Sequence, residues 1–261
     1  MTVLDKIIEG VRADMAERAE RVSIADLEKM IERAPQPRSP LAAFRSSELS
    51  VISEVKRSSP SKGALADIPE PAVLASAYEA GGASAISVLT EKHKFNGSLA
   101  DLDAVRAAVN IPVLRKDFVV DEYMLYEARA HGADLALLIV AALDDKELNR
   151  LYKLALNLGL TPLVEVHTED EARRARDLGV EVVGVNNRNL KTLDVDLEQF
   201  SRLVGSLDDQ AIKVAESGIL SPKDAARVAS EGADVILVGE ALVKNSKPSE
   251  AVAAMIQEAK R

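Results

Sequence analysis

Gly132-Ala133-Asp134-Leu135-Ala136-Leu137-Leu138-Ile139-Val140 sets the pattern of this chain: a small-residue turn that runs straight into an apolar strand. Glycine suits the residue that ends a helix in a left-handed conformation. An unbroken apolar run suits a strand covered on both faces, as a parallel sheet requires. The unit recurs three more times. Gly81-Gly82-Ala83-Ser84 precedes the run Ala85 to Leu89, Gly179-Val180-Glu181 precedes Val182 to Asn186, and Gly232-Ala233-Asp234 precedes Val235 to Val238. The runs Val51 to Val55, Ile111 to Leu114, Thr161 to Val166 and Ile212 to Ala215 fill the remaining places and bring the strands to eight.

Helix signals separate these strands. Asp121 caps the stretch Glu122 to Ala130, Asp144 the stretch Asp145 to Asn157, and Thr168 the stretch Glu169 to Leu178. Ser221-Pro222 is a cap followed by proline at the first helical position, and Pro248 to Ala259 closes the chain. Eight alternating β and α units imply a closed (β/α)8 barrel or an open doubly wound sheet. The regular repeat, and the lack of a GxGxxG turn after the first strand, favour the α/β class in its (β/α)8 TIM-barrel form. Before the first strand, the helical stripes Leu4, Ile7, Ile8, Val11, Met15 and Ile24, Leu27, Met30, Ile31 stand ahead of Pro35, Pro37 and Pro40. Residues 1–45 are therefore expected to form an N-terminal helical extension packed on the barrel, and 46–261 the barrel itself.

The composition narrows the partners. The chain has 261 residues, is 47% hydrophobic and carries a net charge of −9, which disfavours general binding to nucleic acid or an anionic membrane. There is no cysteine, hence no disulfide and no thiolate chemistry. His93, His131 and His167 have no metal-ligand spacing. Met1 to Arg12 carries Asp5, Lys6 and Glu9 and lacks the apolar core of a signal peptide. A cytoplasmic location is expected, with a small-molecule substrate, no metal and no cofactor; the oligomeric state is open between a monomer and a weak dimer.

In a barrel the reactive groups belong where strands enter the βα loops. The first strand ends in Glu54 and Lys56, two apart and so on one face. Arg115-Lys116-Asp117 ends the third, Glu165 interrupts the fifth, Asn186-Asn187-Arg188 ends the sixth, and Glu216-Ser217-Gly218 the seventh. A charged residue buried at one strand tip is ordinarily a structural ion pair. Several tips converging on one mouth point instead to a shared site holding both acids and bases. Glycines at Gly218 and Gly239, after the last two strands, let the backbone approach an anion, which suggests phosphate. Glu240 would then offer its N–H and turn its side chain away. With aromatics at only 3%, Phe95 and Phe118 just past strand tips are candidates to line an aromatic pocket, or else to anchor loops.

Six stretches resemble the indole-3-glycerol-phosphate synthase family of tryptophan biosynthesis. They are Ser53-Glu54-Val55-Lys56-Arg57-Ser58-Ser59-Pro60-Ser61, Leu89-Thr90-Glu91 with Phe95-Asn96-Gly97-Ser98, Leu114-Arg115-Lys116-Asp117-Phe118, Leu163-Val164-Glu165-Val166, Gly184-Val185-Asn186-Asn187-Arg188-Asn189-Leu190 and Ala215-Glu216-Ser217-Gly218-Ile219. The resemblance implies a carboxy-lyase that closes, decarboxylates and dehydrates 1-(2-carboxyphenylamino)-1-deoxyribulose 5-phosphate. It implies Lys116 as general acid, Glu165 in proton transfer with Glu54 close by, and Lys56 on the substrate carboxylate. It further implies Asn186, Arg188, Glu216 and Ser217 as orienting groups, Ser59, Gly218, Gly239 and Glu240 on the phosphate, and Phe95, Phe118 and Leu138 against the ring. The rivals are another phosphate-binding barrel such as phosphoribosylanthranilate isomerase, and a non-catalytic barrel that binds a phosphorylated ligand.

Overall fold

The computed structural model of the chain describes residues 2–190 and 192–260. Eight strands alternate with helices: β1 (Ser50–Val55), β2 (Ala85–Leu89), β3 (Val113–Lys116), β4 (Leu135–Ile139), β5 (Thr161–Val166), β6 (Val182–Asn186), β7 (Ile212–Glu216) and β8 (Val235–Val238). Every neighbouring pair is parallel, and β1 pairs with both β2 and β8, so the sheet closes on itself. This is a (β/α)8 barrel. Closure leaves no strand edge exposed, and the branched residues of the strands are covered on both faces.

Three helices precede the barrel: α1 (Val3–Arg21), α2 (Ile24–Arg33) and α3 (Leu41–Phe44). The helices that follow β1 are α4 (Pro71–Ala80), α5 (Leu99–Ala108), α6 (Glu122–Ala130), α7 (Asp145–Asn157), α8 (Glu169–Leu178), α9 (Glu198–Val204), α10 (Pro222–Ser230), α11 (Glu240–Val243) and α12 (Pro248–Glu258). The expected caps form. Asp121, Asp144, Thr168 and Ser221 each accept a hydrogen bond from a backbone N–H of the first helical turn. Gly132 and Gly232 take the left-handed conformation that turns a helix end into the next strand, at φ of 76° and 107°.

The third and seventh strands show where the ends shift from the sequence pattern. The third strand runs Val113–Lys116, two residues later than the apolar run from Ile111, and the seventh extends to Glu216. Pro112 has no N–H for a ladder. Backbone pairing also ignores side-chain charge, so Arg115 and Lys116 sit in register opposite Val88 and Leu89. Alternation along β3 then sends Lys116 into the barrel mouth and Arg115 out towards the helices.

Arg115 is the centre of a buried ionic network. It reaches Asp117 at 3.2 Å and Glu127 at 2.9 Å, and donates to Thr90 Oγ1 and to the Met124 carbonyl. Glu127 also accepts from Arg18 of α1 at 2.6 Å. Further along the same seam, the Tyr123 hydroxyl donates to the Val22 carbonyl, and Arg129 donates to the Pro35 carbonyl. At the opposite end of the barrel Asp134 accepts from Arg106 and from the N–H groups of Arg38 and Val113. These bonds fix the N-terminal helices against α6 and the base of the barrel.

Candidate active site

The carboxyl ends of the strands surround a cavity of about 420 Å³. The volume falls in the range of small-molecule pockets. Lys116 stands on its floor. The Lys116 Nζ lies 3.0 Å from Glu165 Oε2 and 3.0 Å from Glu216 Oε2. Burial opposes the charge on this ammonium, but Glu165, Glu216 and Glu54 outweigh it and hold the lysine well above its ordinary range.

The two carboxylates differ. Burial would raise Glu165, yet Lys116, His167 and a hydrogen bond from Asn186 hold it well below the usual carboxylate range. Burial pushes Glu216 up to about 7, reinforced by the charge of Glu165 and only partly countered by Lys116. Glu216 Oε1 is buried with no hydrogen-bond partner among the described residues. One wall thus holds a charged acid, a charged base and a group that titrates near neutrality.

A second ion pair stands across the mouth. Lys56 Nζ lies 2.6 Å from Glu54 Oε1, with Glu54 almost fully buried beside Gly239. A β-carbon at Gly239 would meet Glu54 Oε1 at 2.5 Å, so this glycine is where the carboxylate fits. Arg188 donates to Ser61 Oγ at 2.9 Å and to the Leu193 carbonyl at 3.0 Å. Burial pulls the Arg188 guanidinium below its usual range, against the charges of Glu240 and Glu54.

The loop after Lys56 folds over this mouth. Ser58–Ser59 and Gly63–Ala64 pair as a short antiparallel hairpin. Lys62 at its tip reaches Glu240 at 2.6 Å, and Lys244 reaches the same carboxylate at 2.8 Å. The Glu240 side chain is therefore neutralised by two lysines while it lines the cavity, instead of turning away from it.

Phe95 and Phe118 form one aromatic face, their ring centroids 6.1 Å apart and tilted by 38°. Val3, Leu4 and Ile7 of α1 also line the cavity. The sequence stripe had marked Leu4 and Ile7 only as the apolar side of a helix, and did not include Val3. Ser217 adopts φ of 64° and Gly218 φ of 81°, so the turn after β7 is strained at a non-glycine residue on the cavity wall.

The indole-3-glycerol phosphate synthase family model matches residues 4–255. An indole-3-glycerol phosphate synthase of Streptomyces griseus is 59% identical over 256 residues, covering 98% of this chain and 95% of that protein. One of Nocardioides is 59% identical over 255 residues, covering 98% of each. The chain belongs to the indole-3-glycerol phosphate synthase family. Solved structures with lower identity share the fold. A 3-hexulose-6-phosphate synthase of Salmonella typhimurium superposes with a TM-score of 0.63 at 15% identity, over 81% of this chain and 99% of that one. A thiamine phosphate pyrophosphorylase of Pyrococcus furiosus gives 0.60 at 18% identity, over 81% and 96%.

Of the residues that the resemblance to the indole-3-glycerol phosphate synthase family singled out, all but one line this cavity. The exception is Leu138. Its neighbours Leu137 and Ile139 line the cavity, so alternation along β4 turns Leu138 outward into the layer between sheet and helices, where it is fully buried. His167 is a polar residue that the sequence reading weighed only as a metal ligand. It follows Glu165 by two and therefore shares its face, a spacing that could have drawn attention to it.

Proposed function

We propose that this chain is an indole-3-glycerol phosphate synthase in the full sense: it converts 1-(2-carboxyphenylamino)-1-deoxyribulose 5-phosphate into indole-3-glycerol phosphate, carbon dioxide and water. The observation that carries the reading is Lys116, held charged between Glu165 and Glu216 on the floor of a cavity with one aromatic wall. An ammonium there can give a proton to the ribulose carbonyl oxygen as the ring carbon bearing the carboxylate attacks the carbonyl carbon. Loss of carbon dioxide returns its bonding pair to the ring. The new hydroxyl then leaves as water, with the proton removed in that step accepted by Glu165.

Lys56 pairs with the substrate carboxylate and is placed to protonate the departing hydroxyl, with Glu54 as its counter-charge. Asn186, Arg188, Glu216 and Ser217 orient the substrate. Ser59, Gly218, Gly239 and the N–H of Glu240 receive the phosphate, and Phe95 and Phe118 pack on the ring, joined by Leu137 and Ile139 in place of Leu138. Each step is a proton transfer or a heterolysis that these side chains can serve, so the reading needs no metal or organic cofactor. Residues 1–45 and 46–261 act as one catalytic unit, since α1 supplies part of the cavity wall. No helix among the described residues is long and apolar enough to cross a membrane. With the acidic charge, this supports a cytoplasmic enzyme acting on a small molecule, without nucleic-acid or membrane partners.

The test is a turnover assay that follows indole fluorescence and carbon dioxide release with wild type, Lys116→Met and Glu165→Gln. General acid and base groups contribute roughly 10²- to 10⁴-fold each. Near-normal turnover in both folded variants would refute the roles. Consumption of substrate by wild type without carbon dioxide release would favour an isomerase, and bound but unchanged substrate a binding protein.

A further inference from the structure

Glu165 and Glu216 stand in the same relation to Lys116, each with one oxygen 3.0 Å from its Nζ. Both are buried around one ammonium, and like charges this close favour a proton on one of them, in accord with the raised Glu216. Something must decide which one keeps it. The asymmetry lies behind Glu165. His167 Nε2 is 3.2 Å from Glu165 Oε1, and His167 Nδ1 is 3.2 Å from Glu171 Oε2. A neutral imidazole has one N–H and would aim a lone pair at one of these carboxylates. An imidazolium presents positive charge to both. The ring is 8% exposed, so water does not screen the pair.

We propose that His167 is held as an imidazolium between Glu165 and Glu171 and, by placing a second positive charge against Glu165 alone, makes Glu165 the ionised member of the pair and leaves the proton on Glu216. His167 is thus a positioning residue, and its role rests on the reading of Glu165 as proton acceptor. The ring is fixed by its surroundings. Its backbone N–H donates to Glu171 Oε2 at 2.7 Å, Glu171 is anchored by the N-cap Thr168, and the His167 carbonyl accepts from Gln199 of α9 at 2.6 Å. The charged groups facing the ring are Glu165 on its own strand and Glu171 on α8; the group from α9 is the neutral amide. The Nε2 contact with Glu165 is poorly aligned for a hydrogen bond, so charge and not a directed bond joins the two. Burial opposes the charge, but Glu165 and Glu171 push the imidazole up to about 9, in accord with the geometry.

The charge can be separated from the packing. In His167→Gln the side chain keeps an N–H donor and loses the positive charge; in His167→Leu it loses both. The expected result for both is a lower kcat with KM within about twofold of wild type, and an acid limb of the kcat/KM profile moved upward by about one pH unit. In a Glu165→Gln background, where no carboxylate remains to be charged, His167→Gln should add almost no further loss. A limb that stays in place, or a loss that multiplies fully with that of Glu165→Gln, would overturn the inference. Near-normal turnover of Glu165→Gln alone would instead overturn the reading beneath it. A measurement on the unaltered protein decides independently of variant folding. The chain has three histidines, so their ring carbons can be followed by NMR after histidine labelling. The His167 resonance should remain that of an imidazolium at pH 8, and a midpoint near 6.5 would overturn the proposal.

Discussion

Gly184 lies directly beneath Glu216: a β-carbon at Gly184 would sit 2.1 Å from Glu216 Oε1. Gly184 is also the partner of Glu165 in the ladder between β5 and β6. The missing side chain is what lets two carboxylates converge on one lysine. Gly184→Ala is therefore expected to displace Glu216 and loosen its hold on Lys116. Overpacking of this kind costs about 1–3 kcal/mol, and a shift of about 1 Å at a reacting group can cost about 10²-fold in rate. Thermal melting and turnover should show a modest loss of stability with a much larger loss of kcat. Turnover within about twofold of wild type would show that Glu216 need not hold its place.

Arg115 presents a case where the penalty falls on the fold. It is 1% exposed and balances both Asp117 and Glu127. Arg115→Leu leaves Asp117 with an uncompensated buried charge, while Glu127 keeps Arg18, and the loss is about 3–5 kcal/mol. Chemical denaturation should record that loss. Replacing Asp117 by asparagine as well should return part of it, because the stranded charge is removed with its partner.

The link between Lys62 and Glu240 behaves differently, since the Lys62 side chain is 46% exposed. Lys62→Ala should leave global stability within about 1 kcal/mol. It should also free the hairpin tip, so that limited proteolysis between Arg57 and Leu65 quickens and KM rises by up to about fivefold. Raising the salt concentration should shrink the difference between variant and wild type, as screening weakens the pair in the parent. Unchanged proteolysis would remove Lys62 as a fastening for the loop.

Protonation gives stability a pH dependence whose sign can be worked out. The folded state lifts His167 from an ordinary histidine value to about 9, so its contribution is fully present below about 6.5 and is lost as pH rises through 9. Glu216, raised to about 7, acts in the same direction at lower pH, between about 4.5 and 7. Glu165 is depressed and acts oppositely, losing its contribution only as pH falls through the acid range. Between pH 6.5 and 9 His167 dominates, with an effect on the order of 3 kcal/mol. Melting temperature should fall across that window in wild type and stay flatter in His167→Gln. Parallel curves would refute the assignment.

Much of this architecture was legible in the sequence for local reasons. The spans of α6, α7 and α8 follow from caps at Asp121, Asp144 and Thr168, each of which makes its hydrogen bond. Strands β5 and β6 follow from apolar runs bounded by small-residue turns. Where the pattern misled, the cause was non-local. The apolar runs stop short of the charged Arg115, Lys116 and Glu216, although ladder register keeps all three in strands. Leu138 rested on the resemblance alone, and an unbroken apolar run gives no hint of which of its residues face the mouth. The Ser58–Ser59 and Gly63–Ala64 pairing is too short to show any alternation. His167 and the cavity-facing side of α1 acquire meaning only when residues distant in sequence meet.

The placement of Val3, Leu4 and Ile7 on the cavity wall bears on how the molecule can be handled. Helices of the barrel return from the mouth to the base, so the end of α12 at Glu258 lies on the far face. A purification tag or fused partner joined ahead of Thr2 would hang in the substrate's doorway. One joined beyond α12 would leave the doorway clear.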